Sequence, residues 1–162
     1  MNKHLKTIRC ASRIGLWGSV AVVLITVTFI YLSPWQFYPS EHTSKWMLVA
    51  GTVLAVLAIS MALLTVRRQV PRLRQTEDIE GKLAGYATHV RSLYKTMFFV
   101  VVVLCAFTLF SSRNVLLMLA IVSVLVLFLD YPNIYRIKVD LGLSDEEMRQ
   151  LFGDRYISGN EQ

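Results

Sequence analysis

Asp130 abuts a long apolar run, with Arg136 and Lys138 a few positions on. A carboxylate at the edge of an apolar segment is what proton-coupled transport uses, because it can gain and lose charge as substrate moves. Its simpler role, and the favoured one, is an interfacial residue balanced by the two cations. His4, His42 and His89 all fall outside the apolar runs, which argues against a membrane haem held by two histidines. Met47, Met61, Met97 and Met118 read as packing residues. Cys10 lies near the N-terminus and Cys105 in the middle of a run, so they cannot form the paired surface thiols of a quinone–disulfide enzyme. Cys105 reads as a small apolar residue, and Cys10, beside basic residues, as an acylation candidate. Glu41-His42 is too sparse for a metal site, and no glycine-rich phosphate motif of the required form is present. No catalytic, cofactor-binding or metal-ligating set emerges, and no cofactor is expected.

Two further groups have chemistry to offer. Arg67, Arg68, Arg72 and Arg74 form a basic cluster that can contact anionic lipid headgroups, although their first role is to flank an apolar run. Thr26, Thr28, Thr52, Ser60, Thr65, Thr108 and Ser123 place hydroxyls inside the runs. Such hydroxyls can line a path, or they can bond to carbonyls of their own helix. No Asp, Glu, Lys, Arg or His lies within the apolar cores, and intramembrane ionisable groups are the usual mark of ion coupling.

The elements that must carry these residues follow from how apolar residues cluster. Hydrophobic residues make up 54% of the 162 and charged ones 17%, against roughly 25% charged in globular chains. They gather into four blocks. A bilayer core ~30 Å thick takes about 20 helical residues to cross. The expected architecture is all-α and polytopic, a single membrane domain over 1–162. Its four transmembrane helices are placed at about 14–32, 46–66, 95–112 and 114–131, with a cytoplasmic helical connection at 67–94 and a cytoplasmic tail at 132–162. Residues 96–129 as one helix would make a rod of roughly 50 Å with Arg113 near its middle, which costs about 2.5–3.5 kcal/mol in a membrane. A hairpin turning at Ser111-Ser112-Arg113-Asn114 avoids this. The basic start resembles a signal peptide, but its apolar run is too long and lacks a small-residue cleavage site, so an uncleaved first span is expected.

Positive charge sets orientation. Of the seventeen Lys and Arg residues, only Lys45 and Arg113 lie in the connections between spans one and two and between three and four. Both termini are therefore expected in the cytoplasm, in a bacterial inner membrane. The net charge of +6 is accounted for by insertion, and nucleic acid is not expected as a partner. Tyr31, Trp35, Phe37, Tyr38 and Trp46 form an outer aromatic belt, and Tyr94, Tyr131 and Tyr135 an inner one. Trp35, Phe37 and Tyr38 could instead form a ligand-binding lip, the less favoured role.

In the inner connection, Ile79, Leu83, Tyr86, Val90, Leu93 and Met97 recur at spacings of three and four, so the third span is expected to continue a cytoplasmic helix. Thr76 followed by Glu77, Asp78 and Glu80 is a capping pattern, and Pro71 is expected to disturb any extension of the second span. In the tail, Ser144 and Glu147 fit a capping box with Leu143 and Met148 as a staple, and Gly153 can end that short amphipathic helix. Gly51, Ala55, Ala58 and Ala62 form a small-residue helix-packing seam, expected to pair spans one and two or to join copies in a homo-oligomer. These features point to a non-enzymatic accessory, assembly or interaction component, in contact with membrane lipid. The cytoplasmic helices would meet a protein partner or a second copy. The alternative is a small oligomeric transporter or channel for an uncharged or lipid-like substrate. A lipid-acting enzyme at the inner interface would have to draw on Asp130, His89 and Arg91.

Overall fold

The computed structural model describes residues 3–32, 40–75, 78–111 and 114–152. They form six helices: α1 (Lys3–Leu32), α2 (Glu41–Arg74), α3 (Ile79–Ser111), α4 (Asn114–Leu129), α5 (Ile134–Leu141) and α6 (Asp145–Phe152). No strand occurs among the described residues. Three helices are long and apolar enough to cross a membrane, or four if α4 and α5 are counted as one bent span. Alone, α4 has 16 residues, about 24 Å of helix. A 77° bend separates it from α5, so the two do not make one straight helix.

The helix α3 is the centre of the bundle, packed by α1, α2 and α4. Leu83, Val101 and Leu104 are fully enclosed along it. The outward faces remain apolar, with Leu24, Ile25 and Phe29 of α1, Val53 and Leu57 of α2, and Met118 and Phe128 of α4 all exposed. A fold that turns aliphatic and aromatic side chains outward along its length is built for a lipid solvent.

The chain departs from its sequence pattern at four places. α1 begins at Lys3, eleven residues before the expected span, because Leu5, Ile8 and Ser12 continue its buried face at helical spacing. α1 does not pair tightly with α2; its extensive contacts are with α3 and α4. Pro71 lies within α2, which runs on to Arg74; the helix closes one turn later, where a lost backbone bond matters least. Finally, a further helix, α5, follows Asp130–Asn133, within the stretch expected as a tail with a single short helix after Ser144. Asn133 caps it by accepting from the Arg136 N–H at 2.7 Å, and Gly142 ends it in the left-handed conformation at φ 63°.

Other local signals coincide with the structure. α3 and α4 are separate antiparallel-linked helices rather than one rod. α3 is capped by Asp78, whose carboxylate accepts from Glu80 N at 3.2 Å and Gly81 N at 3.0 Å; Thr76 lies outside the described residues, as do Ser112, Arg113 and Gly153. Ser144 and Glu147 form the reciprocal capping box, at 2.7 and 3.2 Å, and the backbone N–H of Ser144 holds the Glu147 carboxyl below its ordinary range. Tyr31 and Trp46 are exposed, whereas Trp35, Phe37 and Tyr38 lie outside the described residues.

Candidate functional site

Polar chemistry concentrates where α3 leaves the apolar bundle and meets α5. Tyr86, one of the apolar stripe of α3, is 4% exposed and donates its hydroxyl to Asp140 Oδ2 at 2.9 Å. Arg136 binds the same oxygen at 3.7 Å, pairs with Asp130, and donates to the Leu129 carbonyl at 2.5 Å. One guanidinium thus ties the end of α4 to α5, and Tyr86 ties that unit to α3. Burial first, then the neighbouring Asp140, pushes the Tyr86 phenol well above its ordinary value, so it serves as a neutral donor.

Arg74 completes the brace from α2. Its Nε donates to the Asp140 carbonyl at 3.0 Å and its terminal nitrogen to the Val139 carbonyl at 2.7 Å. These carbonyls belong to the last turn of α5, where a cation meets both unsatisfied acceptors and the negative end of the helix dipole. The α6 unit is linked on by Lys138–Asp145 at 2.6 Å, with Met148 fully buried. Through Arg74 and Tyr86, α5 thus packs on the 67–94 connection, and α6 is joined to α5.

His89 sits at the seam of this region. It is 7% exposed and its Nε2 is buried without a hydrogen-bond partner. Burial pulls its pKa below the ordinary imidazole value, with Asp130 and Asp140 opposing. On one side it borders a cavity of about 20 Å³ with Asp130, Arg136 and Asp140. On the other it lines a cleft of about 650 Å³ between α2 and α3. Thr65, Thr88, Ser92 and Thr96 supply hydroxyls there, Arg72 stands among the lining residues, and Met61 and Met97 form an apolar part.

The four arginines read as a lipid-contact cluster are placed as follows. Arg74 is committed to α5, Arg72 lines the α2/α3 cleft, Arg68 is exposed, and the Arg67 side chain is not described. The small-residue seam of α2 is enclosed, but not by α1. Ala55, Ala58 and Ala62 are buried, and a Cβ on Gly51 would fall 2.6 Å from Leu116 Cδ2 and 3.4 Å from Leu104 Cδ2. That side of α2 faces α3 and α4.

Of the hydroxyls in the apolar runs, Thr26, Thr52, Thr65, Thr108 and Ser123 each donate to the carbonyl four residues back on their own helix, at 2.6–2.9 Å. Asp130 pairs with Arg136. Tyr86 and Asp140 escaped sequence reasoning: Tyr86 counted only as apolar, and the helix bearing Asp140 was not foreseen. The spacing Ile134, Ile137, Leu141 followed by Gly142 was the available signal. Among the described residues no group of three or more metal-ligating side chains converges. Comparison with known proteins finds no matching family model, no matching curated protein and no matching solved structure.

Proposed function

We propose that the chain is a four-span protein of a bacterial inner membrane, with both termini in the cytoplasm. It acts as a non-enzymatic accessory or assembly component. The fourth crossing is α4, completed by its flanking residues. The observation that carries this reading is the bracing of the inner end. Arg74, Arg136, Tyr86 and Asp140 fix α5 to α2, α3 and α4, and Lys138–Asp145 joins α6 to α5, so the cytoplasmic helices form one unit on the bundle. Asp145, Glu146 and Arg149 of α6 are exposed on it, a charged face suited to docking a protein partner or a second copy. Crosslinking in cells from Glu146→Cys and Gln150→Cys, followed by purification in mild detergent, tests this. Specific crosslinked species are expected; a chain that emerges alone and monodisperse, crosslinked to nothing, overturns it. A reporter fused after Gln162 tests the orientation and is expected to be active only as a cytoplasmic fusion.

The second reading is a small oligomeric carrier for an uncharged or lipid-like substrate. The α2/α3 cleft favours it, since it sets hydroxyls and His89 beside apolar side chains, the lining an amphiphile needs. Flux in proteoliposomes that falls on Ser92→Leu or Thr96→Leu would support it. No flux across a broad substrate panel sinks it.

A further inference from the structure

We infer that the groove between the first half of α1 and the middle of α3 is a binding site for an anionic phospholipid. The groove has a volume of about 730 Å³, within the range of small-molecule sites. Its walls carry four cations: Lys3 and Lys6 a turn apart on α1, and Arg91 and Lys95 a turn apart on α3. All four are exposed, none takes part in an ion pair among the described residues, and no acid lines the groove.

Both helices then run the same way. From Lys3 and Lys6, α1 proceeds to Ile14, Gly15 and Gly18; from Arg91 and Lys95, α3 proceeds to Phe98. Charge is followed by an apolar channel along the same axis, the order of a phospholipid's phosphate and acyl chain. The glycines let the channel lie close to α3, since a Cβ on Gly18 would come within 3.1 Å of the Phe98 ring. A soluble phosphate would satisfy the cations but leave the apolar half uncovered, with Ile14 68% exposed. A lipid covers both. The site is separate from the docking face of α6 and does not depend on a protein partner.

The native chain carries a probe: Cys10 lines the groove and is exposed, while Cys105 is buried. The full chain is placed in nanodiscs of phosphatidylcholine alone or with phosphatidylglycerol. Retained lipid is read by native mass spectrometry, and Cys10 reactivity by maleimide labelling. Preferential retention of phosphatidylglycerol and slower labelling of Cys10 in its presence are expected. Each cation near an anionic lipid is worth about fivefold. The combined K3Q, K6Q, R91Q and K95Q variant should therefore lose retention by at least about tenfold. A control with the same loss of charge elsewhere (R9Q, R13Q, R68Q and R149Q) should keep it. Equal retention of phosphatidylcholine, or equal loss in the control, overturns the site. Displacement of the lipid by millimolar inorganic phosphate overturns the lipid as its ligand. Where the groove variant fails to fold, Cys10 protection in the native chain decides, and its absence overturns the inference.

Discussion

Along α3 the neighbours change character near Tyr94. Toward Ser111 the helix meets small residues and aliphatic side chains, and hydroxyls such as Thr108 bond back to their own helix. Toward Ile79 its own Tyr86 starts the chain that runs on through Asp140, Arg136 and Asp130, and its His89 keeps a buried Nε2 without a partner. The difference follows the solvent. Between helices in lipid there is little hydrophobic drive, so close approach of small residues does the holding. At the aqueous end, polar groups can be bonded across distant parts of the sequence, and the bonds specify one arrangement. Apart from the bond of Ser44 Oγ to the Ser111 carbonyl at 3.1 Å, the upper part is thus fitted by shape and the lower part by partners, and function is sought where partners are specified.

The largest test of this contrast is Gly15→Leu. A Cβ at Gly15 would lie 2.8 Å from both Cβ and Cδ1 of Tyr94, and the Tyr94 Cβ cannot swing aside. Loss of about 3 kcal/mol is expected, read as a lowered melting temperature in detergent, with α1 released from α3. Gly51→Ala should cost less, about 1 kcal/mol, because the conflicting atom is the end of the flexible Leu116 side chain. Equal damage from both would break the claim that shape, rather than composition, holds the bundle.

Next is Arg136→Ala, which takes the cation from Asp130 and leaves Asp140 with Tyr86 alone, the two side chains being only 16% and 19% exposed. The expected loss is about 2–3 kcal/mol, and Arg136→Lys should restore only part of it, since an ammonium cannot span three acceptors in a plane. Tyr86→Phe comes third, at about 1–2 kcal/mol, because Asp140 keeps its arginine. Thermal unfolding at neutral pH checks both. A neutral result for Arg136→Ala would mean the inner end is as solvent-relaxed as an ordinary surface.

The same divide explains what the sequence disclosed. Periodicity and run length located α1 to α4, because apolar stripes and charged flanks are local signals. The capping box at Ser144 and the stripe from Ile79 to Met97 were legible for the same reason. The Tyr86–Asp140 bond was not, since it joins residues 54 apart on a helix whose eight residues fall below what periodicity resolves. The groove cations were legible only as topology signals; that Lys3, Lys6, Arg91 and Lys95 share one cavity depends on α1 packing against α3, which small-residue spacing misassigned to α2.

The smallest effect, silent at neutral pH, belongs to His89. Burial favours its neutral form, against the attraction of Asp130 and Asp140; Arg136 faces it across the small cavity and Arg72 across the cleft. The folded chain therefore resists a proton that the unfolded chain accepts near the ordinary value of about 6.5. The unfolded state then binds more protons, so stability falls as pH drops through that value and levels off below the folded one. The slope is no steeper than about 1.4 kcal/mol per pH unit. Melting temperatures between about pH 7.5 and 5.5 should fall more for the native chain than for His89→Leu. Identical pH dependence would show that the cavity beside Asp130 accepts imidazolium as readily as water does, and the inner end would then lose its claim to be a dry, partner-specified site.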